Sequence, residues 1–368
     1  MNKRGILIIW MLIMNVAYAQ VQPSFDWTKL LHVPLQYTVL KIADKINVDG
    51  RDDEKVWEQA KWTEDFSDIE TGAITGINNR ARCKMLWDDT YLYVYAEIKE
   101  TNLWATLTER DTEVFQDNAL EMFICPNGNN FNYVEFQING FGTVWDLYLP
   151  KPYRNGGKGL TNWDIKGLKK AVRLNGSINH PNDVDSGWSI ELAIPLNALI
   201  MNREKPPKVG SIWRMNFSSV QWGLDIVDGK YYRRMDKLTG QPLPPHYSVW
   251  SPHGMIDLHY PERWGYVLFS DRPQTNSFLS ENVENAKLAM WKFYYLQQEF
   301  KNVNKRYAAS INELKTFFPN PTYWGKEDEN IQMGTDGYQF WIKCQLPGSE
   351  IGWMLDNTGE FHEIKVVL

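Results

Sequence analysis

The stretch DNALEMFI (residues 117–124) alternates in character, and together with YVEFQIN (133–139) it decides how the chain folds. Leu120, Met122 and Ile124 mark one apolar face of a β-strand, while Glu121 shares the other face with Phe123 and Cys125. The second stretch repeats the pattern, with Glu135 and Gln137 on its polar side. Asn127-Gly128 between them suggests an antiparallel hairpin. Matching apolar to apolar sets Met122 opposite Val134 and Leu120 opposite Phe136, which puts Glu121 opposite Glu135 and Gln137 two positions along. Two carboxylates about 5 Å apart repel by a few tenths to about 1 kcal/mol. The pair therefore calls for a partner. Arg82 or Lys84 on a neighbouring strand would make it a solvated, salt-bridged face. A polyol would make it a binding site, since carboxylates accept hydroxyl hydrogens and Gln137 both donates and accepts. The spacing also suits the nucleophile and acid/base of a retaining glycosidase, although the acid would need an apolar pocket to raise its pKa, and a hydrated sheet face does not supply one.

Working outward, residues 42–270 read as short alternating strands separated by turn signals, the pattern of an all-β sandwich. The clearest are 81–87, 90–98, 119–126, 132–139, 141–149, 171–175, 187–195, 212–222 and 264–270, each expected to have one core face. Asp88-Asp89 makes a tight hairpin turn, and a short helix is expected over 52–60, capped by Asp52 or Asp53. Residues 271–278 read as a linker. Beyond it, 279–368 forms a small α+β appendix, with one long helix, a short helical turn at 312–318, and strands in GYQFWIKCQL and IGWMLDNTGEFHEI.

At the other end, MNKR, an apolar run and Ala17–Ala19 have the layout of a signal peptide over residues 1–19, with 20–41 as a peripheral lead-in. The protein is therefore expected to be exported, periplasmic or secreted, with no membrane span after cleavage. Loss of Lys3 and Arg4 would take the net charge from −6 to −8, which argues against nucleic acid as a partner. Cys83, Cys125 and Cys344 fit no metal pattern and read as buried free thiols, with a Cys83–Cys125 pair left open.

Other constellations carry less. Trp145 and Trp163 flank the Gly-rich loop 150–170, with Tyr153 and Arg154 between them, an arrangement suited to stacking sugar rings. Trp145 reads equally well as core, so Trp163, in a polar loop, is the better candidate for an exposed ring. His246, His253 and His259 have no zinc spacing, and NGGKG (155–159) is not a phosphate loop. No cofactor is expected. Oxygen-rich turns leave room for a structural calcium, at no assigned site. The aromatic centre of the long helix, WKFYY, reads as core packing, and is aromatic enough to dock on the sandwich or on a protein partner instead.

Five pieces taken in order, NVDGRDDEKVWEQA (47–60), KMLWDDTYLYVYAEIKE (84–100), DNALEMFI, GWSIELAIP (187–195) and PERWGYVLF (261–269), resemble family 9 carbohydrate-binding modules over residues 42–270. The longer insertion after Asn132 resembles a subgroup of exported bacterial proteins. The resemblance implies an antiparallel β-sandwich that binds a mono- or oligosaccharide between two tryptophans, with calcium structural in some members. By position, Glu121 matches the sugar-binding glutamate and Glu135 and Gln137 match polar contact positions. Phe115 stands where the first clamping tryptophan is expected, and the second falls at Leu258-His259. The expectation is non-catalytic carbohydrate binding in support of polysaccharide breakdown, through Phe115, Glu121, Glu135, Gln137 and Trp163. The alternatives are an interaction module without sugar binding and a hydrolase using Glu121 and Glu135.

Overall fold

The computed structural model describes residues 26–74, 80–200, 205–274 and 276–365; the signal-peptide reading lies outside them. In chain order, the first strands are β1 (Gln36–Lys41), β2 (Ser67–Asp68), β3 (Ala81–Trp87), β4 (Tyr91–Ile98), β5 (Ala119–Cys125), β6 (Tyr133–Asn139) and β7 (Val144–Leu149). They are followed by β8 (Lys169–Asn175), β9 (Gly187–Pro195), β10 (Ile212–Gln221), β11 (Leu224–Val227), β12 (Lys230–Arg233), β13 (His246–Val249) and β14 (Gly265–Ser270). The appendix comprises α1 (Glu281–Asn304), α2 (Ile311–Phe317), β15 (Ile331–Thr335), β16 (Phe340–Gln345), β17 (Ile351–Asp356) and β18 (Phe361–Lys365).

The protein is mostly β. Its main sheet runs β7-β6-β5-β10-β14-β1-β3-β4-β9-β8, with β13 and β2 branching from β10. The sheet curls on itself so that its two halves share one core. Leu120, Met122, Val134, Phe136 and Phe217 from one half meet Met85, Val94, Ile190 and Leu192 from the other. The joint between the halves is β1, which pairs in parallel with both β14 and β3. The lead-in is thus not peripheral. QYTVLK turns Tyr37 and Val39 into the core, and the upstream Trp27 and Leu30 are buried against the appendix. The other sandwich strands pair antiparallel.

Local chemistry explains several of the sequence signals. Asp88 Oδ1 accepts from the N–H groups of Thr90 and Tyr91 and closes the β3–β4 turn. Residues 55–59 form a 3₁₀ turn with no side-chain cap from Asp52 or Asp53; Asp52 instead pairs with Lys84 at 2.6 Å. What holds this segment is Glu191 of β9. Its buried carboxylate accepts from the Asp49 and Gly50 N–H groups and from Trp57 Nε1, so NVDG and the tryptophan seven residues beyond Gly50 are pinned to one side chain. Gly187 opens β9 at φ +116°, where a Cβ would lie 2.0 Å from the Ile98 carbonyl oxygen. Gly187→Ala is expected to cost at least about 2 kcal/mol and lower Tm by several degrees; an unchanged melting curve would contradict this packing.

In the appendix, α1 packs on the antiparallel sheet β15-β16-β17-β18. The aromatic centre of the helix faces inward: Trp291, Phe293, Tyr294 and Tyr295 are all buried in the chain's own core. Cys83 and Cys344 are buried free thiols, so no bridge joins Cys83 to Cys125.

Candidate ligand-binding site

The β5–β6 hairpin is two residues out of the expected register. Glu121 lies opposite Gln137, Met122 opposite Phe136, Phe123 opposite Glu135 and Ile124 opposite Val134. A two-residue slip keeps every side chain on its own face, so apolar matching cannot detect it. The loop decides. In place of a tight Asn-Gly turn, residues 126–132 form a wide loop with Asn130 and Asn132 in left-handed conformation. Asn127 Oδ1 accepts from Asn129 N–H, and Asn129 Oδ1 from Phe131 N–H. The loop is drawn out against the β17–β18 turn, where Phe361 N–H donates to the Asn129 carbonyl and Asn130 Nδ2 to that of Gly359.

The acids are not on a hydrated face either. Glu121 is 2% exposed and Glu135 5%. Segment 251–264 crosses the outer side of this half-sheet and buries it, with Trp264 packed on Phe123 and Tyr133. Arg82 and Lys84 cannot neutralise the pair: both belong to the opposite half and are taken by Glu97 and Asp52.

Four of the five expected residues come together here. Phe115, Glu121, Glu135 and Gln137 line one cavity of about 290 Å³ with Trp145, Tyr153, Tyr247, Leu258 and His259. Gln137 organises the polar wall, its Nε2 donating to Glu121 Oε1 (3.0 Å) and Glu135 Oε1 (2.7 Å). Its Oε1 accepts from Phe115 N–H, which fixes the 114–116 turn and so the Phe115 ring. That ring lies 5.9 Å from Trp145, and a second aromatic pair, Tyr153 and His259, has centroids 4.5 Å apart. The fifth residue, Trp163, is elsewhere: half-buried, it packs on the sandwich core and near Tyr148. Leu258-His259, where a tryptophan was expected, does reach the cavity. Tyr247 was missed because β13 is a four-residue strand inside a turn-rich segment, with no alternation long enough to mark it.

Burial governs the electrostatics. Desolvation raises the Glu121 carboxyl well above its ordinary range, the Glu135 charge adds to this, and Ser218 opposite it draws it back. Glu135 is pushed up to about 7 by desolvation, tempered by the hydrogen bond from Gln137. His259 is pushed down to about 3 by desolvation and by Arg154. It is therefore neutral, and its 3.6 Å approach to Glu135 is not an ion pair. Trp145 Nε1 is buried without a hydrogen-bond partner, and Glu121 Oε2 has none in the protein beyond the neighbouring Ser218 hydroxyl, whose own oxygen is otherwise unpaired.

The acidic cluster Asp111, Asp146 and Asp164 has oxygens within 4.8 Å of one another. The Arg110 guanidinium already sits among them, 2.5 Å from Asp146 and 2.6 Å from Asp164, so the cluster suits that arginine rather than a metal.

A curled β-sandwich with such a cavity on one sheet is a scaffold of the carbohydrate-binding-module type. Residues 48–217 match the family described as carbohydrate family 9 binding domain-like; the chain carries a family 9 carbohydrate-binding module-like domain. It is 33% identical over 88 residues to endo-1,4-beta-xylanase C of Paenibacillus barcinonensis, and 25% identical over 154 residues to exoglucanase XynX of Acetivibrio thermocellus. These matches cover 24% and 42% of this chain but only 7% and 12% of those much longer proteins. Among solved structures, a family 9 module from Caldicellulosiruptor kristjanssonii in complex with cellotriose superposes with TM-score 0.41 at 14% identity, covering 67% of this chain and 99% of that one. A putative carbohydrate-binding protein from Bacteroides uniformis gives 0.47 at 17%, covering 64% and 100%.

Proposed function

We propose that the protein is exported and binds a mono- or oligosaccharide in this cavity without catalysis, in support of polysaccharide breakdown. The observation that carries the reading is the under-satisfied polar pair on an aromatic-lined wall, Glu121 Oε2 with at most the Ser218 hydroxyl and Trp145 Nε1 with no partner. Leaving buried polar groups unpaired costs about 1–3 kcal/mol each, and sugar hydroxyls can donate to the first and accept from the second. Sugar rings also carry apolar C–H faces, which suit Phe115, Trp145 and Tyr153. The two relatives, a xylanase and an exoglucanase by name, support a glycan ligand. Among the described residues no helix is long and apolar enough to cross a membrane.

Hydrolysis is a second reading, favoured by one observation: Glu135 is buried and pushed up to about 7, as a general acid requires. Against it, both glutamates belong to adjacent strands and share the Gln137 amide nitrogen. That geometry sets them side by side instead of flanking a glycosidic bond.

A glycan array with the purified protein tests the binding reading. Glu121→Ala is expected to lower the signal of any hit by about 10- to 100-fold. A folded protein that binds nothing on the array would overturn it. Reducing-sugar release that vanishes in Glu121→Gln would instead establish the hydrolase.

A further inference from the structure

The lining narrows the kind of sugar. Three carboxyls reach the cavity, Glu121, Glu135 and Asp257, whereas no lysine or arginine lines it among the described residues. Arg154 is close enough to affect His259 and Tyr133, but its guanidinium is turned to Glu262 at 2.8 Å and lies over the Tyr260 ring. His259 is held neutral, and Tyr133, Tyr153 and Tyr247 are all shifted away from ionisation. The Gln137 amide hydrogens are both spent on the two glutamates. What remains for a ligand is Glu121 Oε2, on a carboxyl whose other neighbour is the Ser218 hydroxyl, and Glu135 Oε2, with a neutral imidazole nitrogen 3.6 Å away, beside neutral donors at Trp145 Nε1 and the Tyr153 and Tyr247 hydroxyls.

The cavity thus offers carboxyl oxygens with no cationic side chain to balance them, surrounded by aromatic rings whose only donors are neutral. Ring faces are negative, and a cage of rings around carboxylates attracts a cation. Resting on the carbohydrate reading above, we propose that the ligand is a cationic amino sugar, a saccharide whose free protonated amine sits between Glu121 and Glu135. The amine supplies the positive charge that this wall lacks, while the sugar ring lies on the aromatics. A neutral sugar would leave the wall to be neutralised by protons alone.

Calorimetry on the full chain at about pH 7.5, where Glu135 is mostly ionised, separates the possibilities with four probes: glucosamine, N-acetylglucosamine, glucose and ethanolamine. Glucosamine is expected to bind at least about tenfold more tightly than each of the others. The Glu135→Gln variant is expected to erase its advantage over glucose. The affinity for glucosamine should weaken toward about pH 5, as Glu135 takes up a proton. Equal or tighter binding of glucose or N-acetylglucosamine would overturn the amine and leave the carbohydrate reading standing. Ethanolamine binding as well as glucosamine would keep the cation and remove the sugar. No binding of any probe by folded protein would overturn both.

Discussion

Arg154→Met is expected to be among the most destabilising single changes in the molecule, costing about 3–5 kcal/mol. Arg154 Nη2 donates to Glu262 at 2.8 Å, and its Nη1 to the His259 carbonyl. Glu262 has a side chain only 1% exposed and also accepts from Tyr295 of α1 at 2.7 Å. The ion pair therefore ties three pieces of chain together: the 150–158 loop that carries Tyr153, the 257–264 segment that carries His259, and the appendix helix. Removing the cation leaves a buried carboxylate paired only with a phenol. Thermal unfolding should show the loss, and adding Glu262→Gln should recover part of it, because the stranded charge goes too. Additive effects of the two changes would show that the pair is not coupled. Sugar affinity should fall with Arg154→Met as well, since the Tyr153–His259 pair loses its support.

Glu135→Gln is expected to stabilise the protein in alkali while abolishing its preference among ligands. The Glu135 carboxyl rises from an ordinary 4.5 to about 7 on folding, so folding favours its protonated form. Its contribution is fully retained below about pH 4.5 and is lost as pH rises through about 7. Above that, burying the charge costs on the order of 3 kcal/mol. Glutamine mimics the protonated acid and can still accept from Gln137 through its own carbonyl oxygen. The Tm of the variant should therefore exceed that of the parent at about pH 8, and the two should converge near about pH 4.5. Parallel curves across that range would mean that Glu135 is solvated in the native state.

The two glutamates show how far residue patterns reach. Alternation fixed the faces of β5 and β6 correctly, because a one-residue slip would turn Glu121 into the core and Leu120 and Met122 out of it. It could not choose between registers two residues apart. That choice belongs to the 126–132 loop and its bonds to residues 359–361, some 230 positions away. Burial of the acid wall was equally hidden, since segment 251–264, which covers it, is turn-rich and irregular. β1 was missed as a strand because its pairing is parallel and its neighbours, β14 and β3, are far along the chain. The motif resemblance did better where one side chain organises its surroundings, as Glu191 does for Asp49, Gly50 and Trp57. Phe115, Glu121, Glu135 and Gln137 were legible as a cluster; Trp163 was not, since a tryptophan in a polar loop can turn inward as easily as out.

Under the proposed function, the sugar sits in this cavity. Titration calorimetry with the strongest array glycan, on the parent protein and on Glu121→Ala, Trp145→Ala and Trp163→Ala, tests it most directly. Binding should weaken by at least about tenfold in the first two variants and stay within about twofold in the third. Binding that survives Glu121→Ala and Trp145→Ala but is lost with Trp163→Ala would place the sugar on the 150–170 loop and contradict the account.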